Sequence, residues 1–240
     1  MFETLKIHFK DKKVPQHSFI NNWIDEKEIY PLSQDTKKVQ IFKENYNLQD
    51  KFIIMYSGNI GLYYDLKNII KVIEKFPKGT KTETGKDVVF AFVGAGSLLD
   101  ELVLYKENNK LDNVVFIPYQ DKKDLNYSLN SGDVHWVVNA KGIKGVSCPS
   151  KCYGVMAAGK PVSGVLENGS ECSLLINETN CGLCCEPNKY QQIEMQIKWF
   201  IENSETEELK QMGKNGRNYL VKNLTKDVSV AKYKKEILEC

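Results

Sequence analysis

From residue 51 onwards the chain alternates short apolar runs with segments of helical pattern, and this alternation limits the fold more than any other feature. The runs are continuously apolar, β-branched or aromatic, as expected of strands buried on both faces. They predict six strands, at residues 51–58, 87–94, 113–119, 133–139, 160–165 and 181–187. Residues 189–240 predict a closing helical region, in which Gly213 and Gly216 are possible breaks. The whole pattern favours an α/β fold with a Rossmann-like, doubly wound parallel sheet.

The first fifty residues do not continue this pattern. The stretch SFINNWID, residues 18–25, predicts a short strand ending in a turn. Residues 26–50 combine one proline with many charges and end in a short amphipathic helix. We therefore divide the chain into a connecting segment, residues 1–50, and a domain, residues 51–240.

Composition and charge exclude several classes of protein. The 240 residues are 42% hydrophobic and 27% charged, as in ordinary globular proteins. There is no run of about eighteen apolar residues, so no membrane span is expected, and the charged start does not resemble a signal peptide. The net charge is +2 and Arg217 is the only arginine, which argues against a nucleic-acid partner. A cytoplasmic location is expected.

Seven cysteines are present, which is an odd number. Six of them fall in one part of the chain: Cys148, Cys152, Cys172, Cys181, Cys184 and Cys185. In a reducing compartment these are expected to be free, small buried thiols. Cys181 and Cys184 have the CxxC spacing, but a zinc site wants four ligands, and the three histidines, His8, His17 and His135, add no partner spacing. No metal is predicted.

In a parallel sheet of this kind, ligands bind at the turns that follow the strands. Four such turns carry small or charged residues: 57–61, 94–97, 139–151 and 166–171. The glycine spacing of the first two does not complete GxGxxG, and no acid ends the next strand, so a dinucleotide site is not indicated. No P-loop sequence is present either.

The stretch CPSKCYGVMAAGKPVSG, residues 148–164, has the features of an anion site at the start of a helix. Pro149 suits a first helical turn, and Ser150, the free amides and Lys151 could all bind an anion. Gly159 suits the position just after a helix. The small residues also allow an ordinary buried helix that packs on the sheet, and both interpretations can hold if Ser150 and Lys151 face outward.

Several of these segments together resemble bacterial family-four glycosyltransferases, in particular the L-fucosamine and amino-sugar transferases of surface-polysaccharide synthesis. The segment CPSKCYGVMAAGKPV resembles that family's PSK-x-Y-x-x-x-AAGKPV, and YSGNIGLYYDL resembles its YSGNIG loop. Other matching segments follow in the same order: NNWID with IYPL, VVFAFVGAGSLLDEL, NVVFIPYQDKKDL, ENGSECSLLINETNCGLCCEP and MGKNGRNYLVKNLTKD. The resemblance extends from about residue 15 to the end of the chain.

The resemblance implies one half of a GT-B architecture, namely the C-terminal domain that binds most of a sugar nucleotide. The N-terminal domain, which would supply most of the acceptor site, is then expected as a partner. By analogy, the phosphate side is lined by Gly58, Asn59 and Gly61, and the diphosphate is neutralised by Ser150 and Lys151. By the same analogy, the base meets the backbone of Pro118 and Tyr119, and the sugar and ribose lie near Gly169, Ser170 and Glu171.

The chain also departs from the wider family's pattern. Two glutamates of that pattern fall here on Val146 and Gly154, so no carboxylate is expected to hold the ribose from there. The usual arginine and lysine of the first loop fall near Asn59 and Tyr64. Neutralisation of the diphosphate is therefore expected to depend more on Lys151 and on backbone amides.

The resemblance implies transfer of a sugar, expected to be an N-acetylated amino sugar, from a UDP-sugar to a glycan or a lipid-linked acceptor, with retention of anomeric configuration. No cofactor or metal is implied, and Asp133-Val-His135 is interpreted as a strand start. Contact with the inner face of the membrane would come from the other domain. Two alternatives remain: a nucleotide-sugar-binding subunit that needs a partner domain for turnover, and a UDP-sugar epimerase with acid and base among Glu167, Glu171 and His135.

Overall fold

The computed structural model describes residues 6, 7, 9, 10, 12 and 17–239. Six parallel strands form one sheet with the order β3-β2-β1-β4-β5-β6. Their bounds are β1 Phe52–Ser57, β2 Val88–Val93, β3 Val114–Ile117, β4 Val134–Val138, β5 Val162–Val165 and β6 Gly182–Cys185. Every strand lies inside its predicted range, so the Rossmann-like α/β prediction is confirmed.

Helices connect the strands, and further helices close the chain. Their bounds are α1 Lys37–Asn45, α2 Leu66–Ile73, α3 Leu99–Asn108, α4 Leu125–Ser131, α5 Lys151–Ala157, α6 Glu171–Thr179, α7 Tyr190–Glu202, α8 Glu207–Asn223 and α9 Lys226–Glu239, with a 3-10 turn at Leu62–Tyr64. In the part of the chain that the structure describes, none of the helices combines the length and the apolar content needed to cross a bilayer.

Both faces of the sheet are buried, which explains why its strands are continuously apolar. Along β1, Ile54 and Tyr56 belong to a large core that they share with residues of α2, α3 and α7. Ile53 and Met55 point to the other face and pack with Phe42 of α1. A third core lies beneath α5, α6 and α8, against β4 and β5. Helix α1 therefore covers part of the sheet.

The predicted strand at residues 18–25 is wrong. Only Ile24 forms a bridge, with Thr225 between α8 and α9, and this contact is isolated from the sheet. The Asn21 side chain donates a hydrogen bond to the Glu171 carboxylate instead, at 3.0 Å. Residues 18–25 do not lie beside a sheet edge, so they form no ladder of backbone hydrogen bonds and are attached to the domain by single contacts such as these.

Helix α5 ends as its sequence predicts. Gly159 has φ of +66°, and its N–H donates to the carbonyl of Met156 at 3.0 Å. The N–H of Lys160 donates to the carbonyl of Val155 at 3.1 Å. These two bonds form a Schellman motif, which requires a left-handed residue at the position of Gly159.

The two possible breaks in the closing helical region are not breaks. Helix α8 runs without interruption through both Gly213 and Gly216. A Cβ at Gly213 would lie 2.1 Å from the carbonyl oxygen of Gly159, and one at Gly216 would lie 3.1 Å from Cβ of Cys181. The glycines therefore let α8 approach the end of α5 and the start of β6 closely, rather than ending the helix.

We expect Gly213→Ala to lower the free energy of unfolding by up to about 2 kcal/mol. Helix propensity alone would favour alanine by about 1 kcal/mol. Overpacking against a backbone carbonyl costs about 1–3 kcal/mol, because backbone cannot move aside as a flexible side chain can. Urea denaturation measures the difference. The control variant Lys214→Ala, at an exposed neighbouring position, should change the free energy of unfolding by no more than about 0.5 kcal/mol. A Gly213→Ala variant more stable than the wild type would contradict the close packing.

Candidate active site

The candidate site lies where the order of the sheet reverses. From β1 the chain continues to β2 on one side, whereas from β4 it continues to β5 on the other. Such a reversal opens a crevice at the carboxyl ends of the strands. A cavity of about 730 Å³ occupies this crevice, and the turns after β1 and β2 and the start of α5 contribute to its wall. This is the position that the sequence predicts.

The structure brings half of the predicted site residues together. The cavity is lined by Gly58, Asn59, Tyr119, Ser150 and Lys151. The remaining predicted residues do not line it: Gly61, Pro118, Gly169, Ser170 and Glu171. The residues predicted to bind phosphate therefore cluster, with Gly61 just behind them, whereas those predicted for the sugar and ribose lie elsewhere.

Lys151 is held between two aromatic rings. Its Nζ lies 3.7 Å from the ring centroid of Tyr64 and 4.2 Å from that of Tyr56. It also donates a hydrogen bond of 2.7 Å to the Tyr56 hydroxyl, which in turn donates to the carbonyl of Asn59 at 2.6 Å. A cation over two ring faces is stabilised electrostatically. These contacts join the start of α5 to the turn after β1.

Lys151 therefore lies in the wall of the cavity and does not extend freely into solvent. Its side chain points inward over the turn after β1, where a Cβ at Gly58 would lie 3.4 Å from Nζ. Burial lowers the pKa of the Lys151 ammonium to about 7. The rings of Tyr56 and Tyr64 act in the opposite direction because they stabilise the cation. The site thus contains an ammonium group that gains or loses its proton near neutral pH.

Ser150 is exposed and immediately precedes α5. Its side chain makes no capping hydrogen bond to the helix. The helix is only seven residues long, so its dipole is small, and the nearby Lys151 ammonium is the larger source of positive potential. The Ser150 hydroxyl is available to donate a hydrogen bond into the cavity.

The glycine turns after β1 and β2 pack against each other. Gly94 has φ of +144°, and a Cβ there would lie 2.0 Å from the carbonyl oxygen of Gly58. Gly58 has φ of +148° and lies against the Lys151 stem. A Cβ at Gly61 would lie 3.1 Å from the amide nitrogen of the Asn59 side chain. Gly61 therefore supports Asn59 from behind, and Gly94 sets the distance between the two turns.

Tyr119 lies at another part of the cavity wall and is 73% exposed. Its neighbour Gln120 donates a hydrogen bond of 2.7 Å to the carbonyl of Pro118. Trp23 and Ile24 also line the cavity. The sequence did not indicate these last two, since they belong to the segment interpreted as a connection. An exposed tyrosine ring beside apolar side chains is suited to stacking with a flat ring.

Glu171 is engaged by the protein itself. Its Oε1 accepts hydrogen bonds from the Tyr153 hydroxyl at 2.7 Å and from the Asn21 side chain at 3.0 Å. With Gly169 and Ser170 it lines a separate cavity of only about 40 Å³. In this arrangement the Glu171 carboxylate ties residue 21 to the start of α6.

Glu167 organises the loop between β4 and α5. One of its oxygens, Oε2, accepts from the backbone N–H of Gly142 at 2.9 Å and from that of Lys144 at 2.8 Å. The Lys144 ammonium donates to the carbonyl of Asn168 at 2.7 Å. The sequence indicated Glu167 only as a candidate acid or base. Its observed contacts fix the loop that leads to Ser150.

His135 has no access to solvent. Its Nε2 lies 2.9 Å from the carbonyl oxygen of Leu129, and burial lowers the pKa of its ring to about 3. The imidazole is therefore neutral at physiological pH. Among the residues that the structure describes, no three His, Cys, Asp or Glu side chains are grouped so that they could hold a metal ion.

Comparison with known proteins identifies the family. Residues 37–219 match the family described as glycosyl transferases group 1. Because this match covers well over half of the sequence, the chain belongs to the group 1 glycosyltransferases. The resemblance stated above is thus confirmed at the level of the family, whereas its amino-sugar subgroup remains a prediction.

Two curated relatives and one solved structure illustrate the relationship. The chain is 29% identical over 215 residues to the probable glycosyltransferase WbjE of Pseudomonas aeruginosa, covering 90% of this chain and 50% of that protein. It is 30% identical over 158 residues to WcaI of Escherichia coli K12, a putative colanic acid biosynthesis glycosyl transferase, covering 65% and 37%. The chain thus spans half or less of these relatives' length.

The solved structure is Alr3699/HepE of Anabaena in complex with UDP and glucose. It superimposes with a TM-score of 0.77 at 14% identity, covering 96% of this chain and 59% of that one. At this identity the likeness concerns the fold, and it agrees with the Rossmann-like sheet described above.

We expect Glu167→Ala to release the loop that Glu167 holds. Hydrogen bonds to a carboxylate contribute about 1.5–3 kcal/mol each, so amide exchange at Gly142 and Lys144 should accelerate by tenfold or more. Hydrogen–deuterium exchange measures this. The matched control is Glu186→Ala, which removes a 2.7 Å bond to the N–H of Asn168 and should accelerate exchange there instead. Unchanged exchange at residues 142 and 144 would contradict the assigned role.

Proposed function

We propose that the chain is the donor-binding half of a group 1 glycosyltransferase and that its cavity binds a UDP-sugar. The observation that carries this proposal is the Lys151 ammonium, held at the carboxyl edge of the sheet above the glycine turn after β1. The cavity volume of about 730 Å³ is in the usual range for sites of drug-sized ligands.

The residues around Lys151 suit a diphosphate. The Ser150 hydroxyl and the Asn59 side chain lie in the wall of the same cavity, and each can donate a hydrogen bond to phosphate oxygen. Gly58 allows its backbone to come close to the ligand because it has no side chain. In the proposed reaction, the bond between the sugar and the diphosphate breaks, and negative charge grows on the leaving phosphate. Lys151 would stabilise that charge, which is where an electrostatic contact accelerates a reaction.

The uracil and ribose are proposed to lie toward Tyr119. Its exposed ring can stack on a base, and Trp23 with Ile24 supplies apolar surface in the same cavity. Pro118 would contribute through its backbone. The structure of HepE contains UDP and glucose, which supports UDP as the nucleotide to test first.

The finer assignments rest on the resemblance and remain proposals. We propose an N-acetylated amino sugar as the donor sugar, with Gly169, Ser170 and Glu171 near the sugar and ribose once their loop rearranges. We further propose a glycan or lipid-linked acceptor, retention of configuration, no metal or cofactor, and a cytoplasmic location with access to the inner face of the membrane. The name of WcaI, which refers to colanic acid biosynthesis, supports a role in surface polysaccharide assembly.

A second candidate is a nucleotide-sugar-binding subunit that turns over only with a partner domain. The chain spans half or less of the length of its curated relatives. A UDP-sugar epimerase has less support. Glu167 and Glu171 are engaged in holding loops, and the buried His135 keeps a neutral ring. Addition of a separately expressed N-terminal half, followed by an assay of sugar transfer, distinguishes the first two candidates.

We expect UDP to bind this chain, and Lys151→Met to weaken binding by tenfold or more, or about 1.4 kcal/mol. Methionine keeps the apolar stem but removes the charge that faces the diphosphate. Isothermal titration with UDP, GDP, CMP and NADH measures both affinity and selectivity. As a control, Lys141→Met changes an exposed lysine outside the cavity and should leave binding unchanged. Preferential binding of NADH would contradict the proposal, as would full affinity in Lys151→Met.

We also expect affinity for UDP to fall between pH 7 and pH 9. Burial holds the pKa of Lys151 at about 7 in the free chain, so the ammonium fraction decreases above that pH and binding must take up a proton. Burial raises the pKa of Tyr56 far above this window, so its phenol stays protonated. Phosphate groups titrate near pH 6, below the window. The affinity of the wild-type chain for UDP should fall by up to about tenfold per pH unit, whereas the affinity of Lys151→Met should hardly change with pH. A wild-type affinity that does not change with pH would argue against a titrating Lys151.

A further inference from the structure

We propose that Cys148 and Cys172 form a reversible disulfide that restrains the loop leading to Ser150 and Lys151. Their Sγ atoms lie 3.4 Å apart, and Cys148 and Cys172 are free thiols. The proposal concerns a modification site and does not depend on which nucleotide the cavity binds.

The two thiols belong to different elements that meet beside the candidate site. Cys148 lies in the loop between β4 and α5, two residues before Ser150. Cys172 is the second residue of α6 and follows Glu171. A disulfide brings two sulfur atoms to about 2.0 Å, so the pair must approach by little more than 1 Å. The loop can supply this movement, whereas Cys172 is fixed in a helix and almost fully buried.

Cys148 is also accessible to a small oxidant. It is only partly buried, and it lines the main cavity, the cavity of about 40 Å³ and a third cavity of about 340 Å³ that Trp23 and Glu171 also line. Cys172 is almost fully buried, and its Sγ contacts that of Cys148. This arrangement, with one accessible and one buried thiol in contact, suits a two-step exchange in which Cys148 reacts first and Cys172 completes the bond.

The reaction balances with a small disulfide such as oxidised glutathione as the oxidant. The Cys148 thiolate attacks one glutathione sulfur, which forms a mixed disulfide and releases one glutathione thiol. The Cys172 thiolate then attacks the sulfur of Cys148 and releases the second glutathione. The protein loses two electrons and two protons, and oxidised glutathione gains them. Reduced glutathione reverses both steps, which is how a disulfide can act as a switch in a reducing compartment.

Closure of the bond would hold the loop between β4 and α5 at a second point. Glu167 fixes its beginning through the N–H groups of Gly142 and Lys144. The disulfide would fix its end at Cys148, and the residues between would lose conformational freedom. Ser150 and Lys151 follow directly, so oxidation would set the geometry at the entrance to the cavity.

The test treats the full chain with oxidised glutathione and then blocks the remaining thiols by alkylation. Contact with Cys172, and then burial, raises the pKa of the Cys148 thiol, so exchange is run at about pH 8.5 to increase the thiolate fraction. Combined cleavage after lysine and glutamate separates the thiols: Cys148 falls in 145–151, Cys152 in 152–167 and Cys172 in 172–178. Mass spectrometry should find 145–151 joined to 172–178.

Matched variants and a second readout complete the experiment. Cys148→Ser, at a loop position, should abolish the linked peptides, whereas Cys184→Ser, which changes another partly buried free thiol, should leave them in place. Hydrogen exchange of residues 142–150 should slow by fivefold or more on oxidation and recover with dithiothreitol. Linkage of 172–178 to 152–167 instead, or the absence of any linked peptide in the folded chain, would overturn the site. A linked pair with unchanged loop exchange would overturn the restraint.

Discussion

The contact of Lys151 with Tyr56 and Tyr64 is the interaction on which the geometry of the candidate site depends. Tyr56 is the last residue but one of β1 and Tyr64 lies in the short 3-10 turn that follows, whereas Lys151 begins α5 on the other side of the switch point. The ammonium therefore links the two halves of the sheet at the place where their connections diverge. Since Tyr56 also donates to the carbonyl of Asn59, the same contact shapes the turn after β1. A ligand bound there would meet a preformed wall.

The fold could be predicted because strands that are buried on both faces are apolar along their whole length. A strand covered on both faces, such as β2 with its six buried residues, has no polar positions, and a single sequence shows this. The end of α5 at Gly159 was equally readable, because local backbone geometry decides it. Gly213 was misread for the opposite reason. Its role depends on the distance to the Gly159 carbonyl, which no local pattern encodes.

The site could be predicted only in part, because side-chain contacts between residues far apart in the sequence are not encoded in any local pattern. Spacing located the turns after the strands, and hence Gly58, Ser150 and Lys151. It could not show where the Lys151 side chain points, because its partner Tyr56 lies 95 positions earlier. Likewise, the role of Glu171 as an acceptor for Asn21 and Tyr153 follows from tertiary contacts alone. Residue type and turn position predict which groups gather at an edge, but not which of them are used by the protein itself.

Arg217 is one of the groups that tie the segment before the sheet to the domain. Arg217 of α8 donates to the carbonyls of Ile29 at 3.0 Å and Glu26 at 3.2 Å, and to that of Ala157, at the end of α5, at 2.9 Å. Arginine suits this position because its planar fork can reach several acceptors at once. The same segment contributes Trp23 and Ile24 to the cavity wall. Residues around 23–29 are therefore positioned by α5 and α8, and not by the sheet that carries the rest of the site.

Lys151 begins α5 and Arg217 contacts its other end. The two cations differ in the groups that surround their charge. Arg217 keeps its charge at any physiological pH and is satisfied by carbonyls, so it serves as a permanent tie. Lys151 lies partly buried between two rings, and among the described residues its ammonium contacts the Tyr56 hydroxyl and two aromatic faces. A cation in that state gains more from an arriving anion than a fully hydrated one would, because part of its desolvation precedes ligand binding. The burial that lowers its pKa to about 7 thereby prepares the site for negative charge.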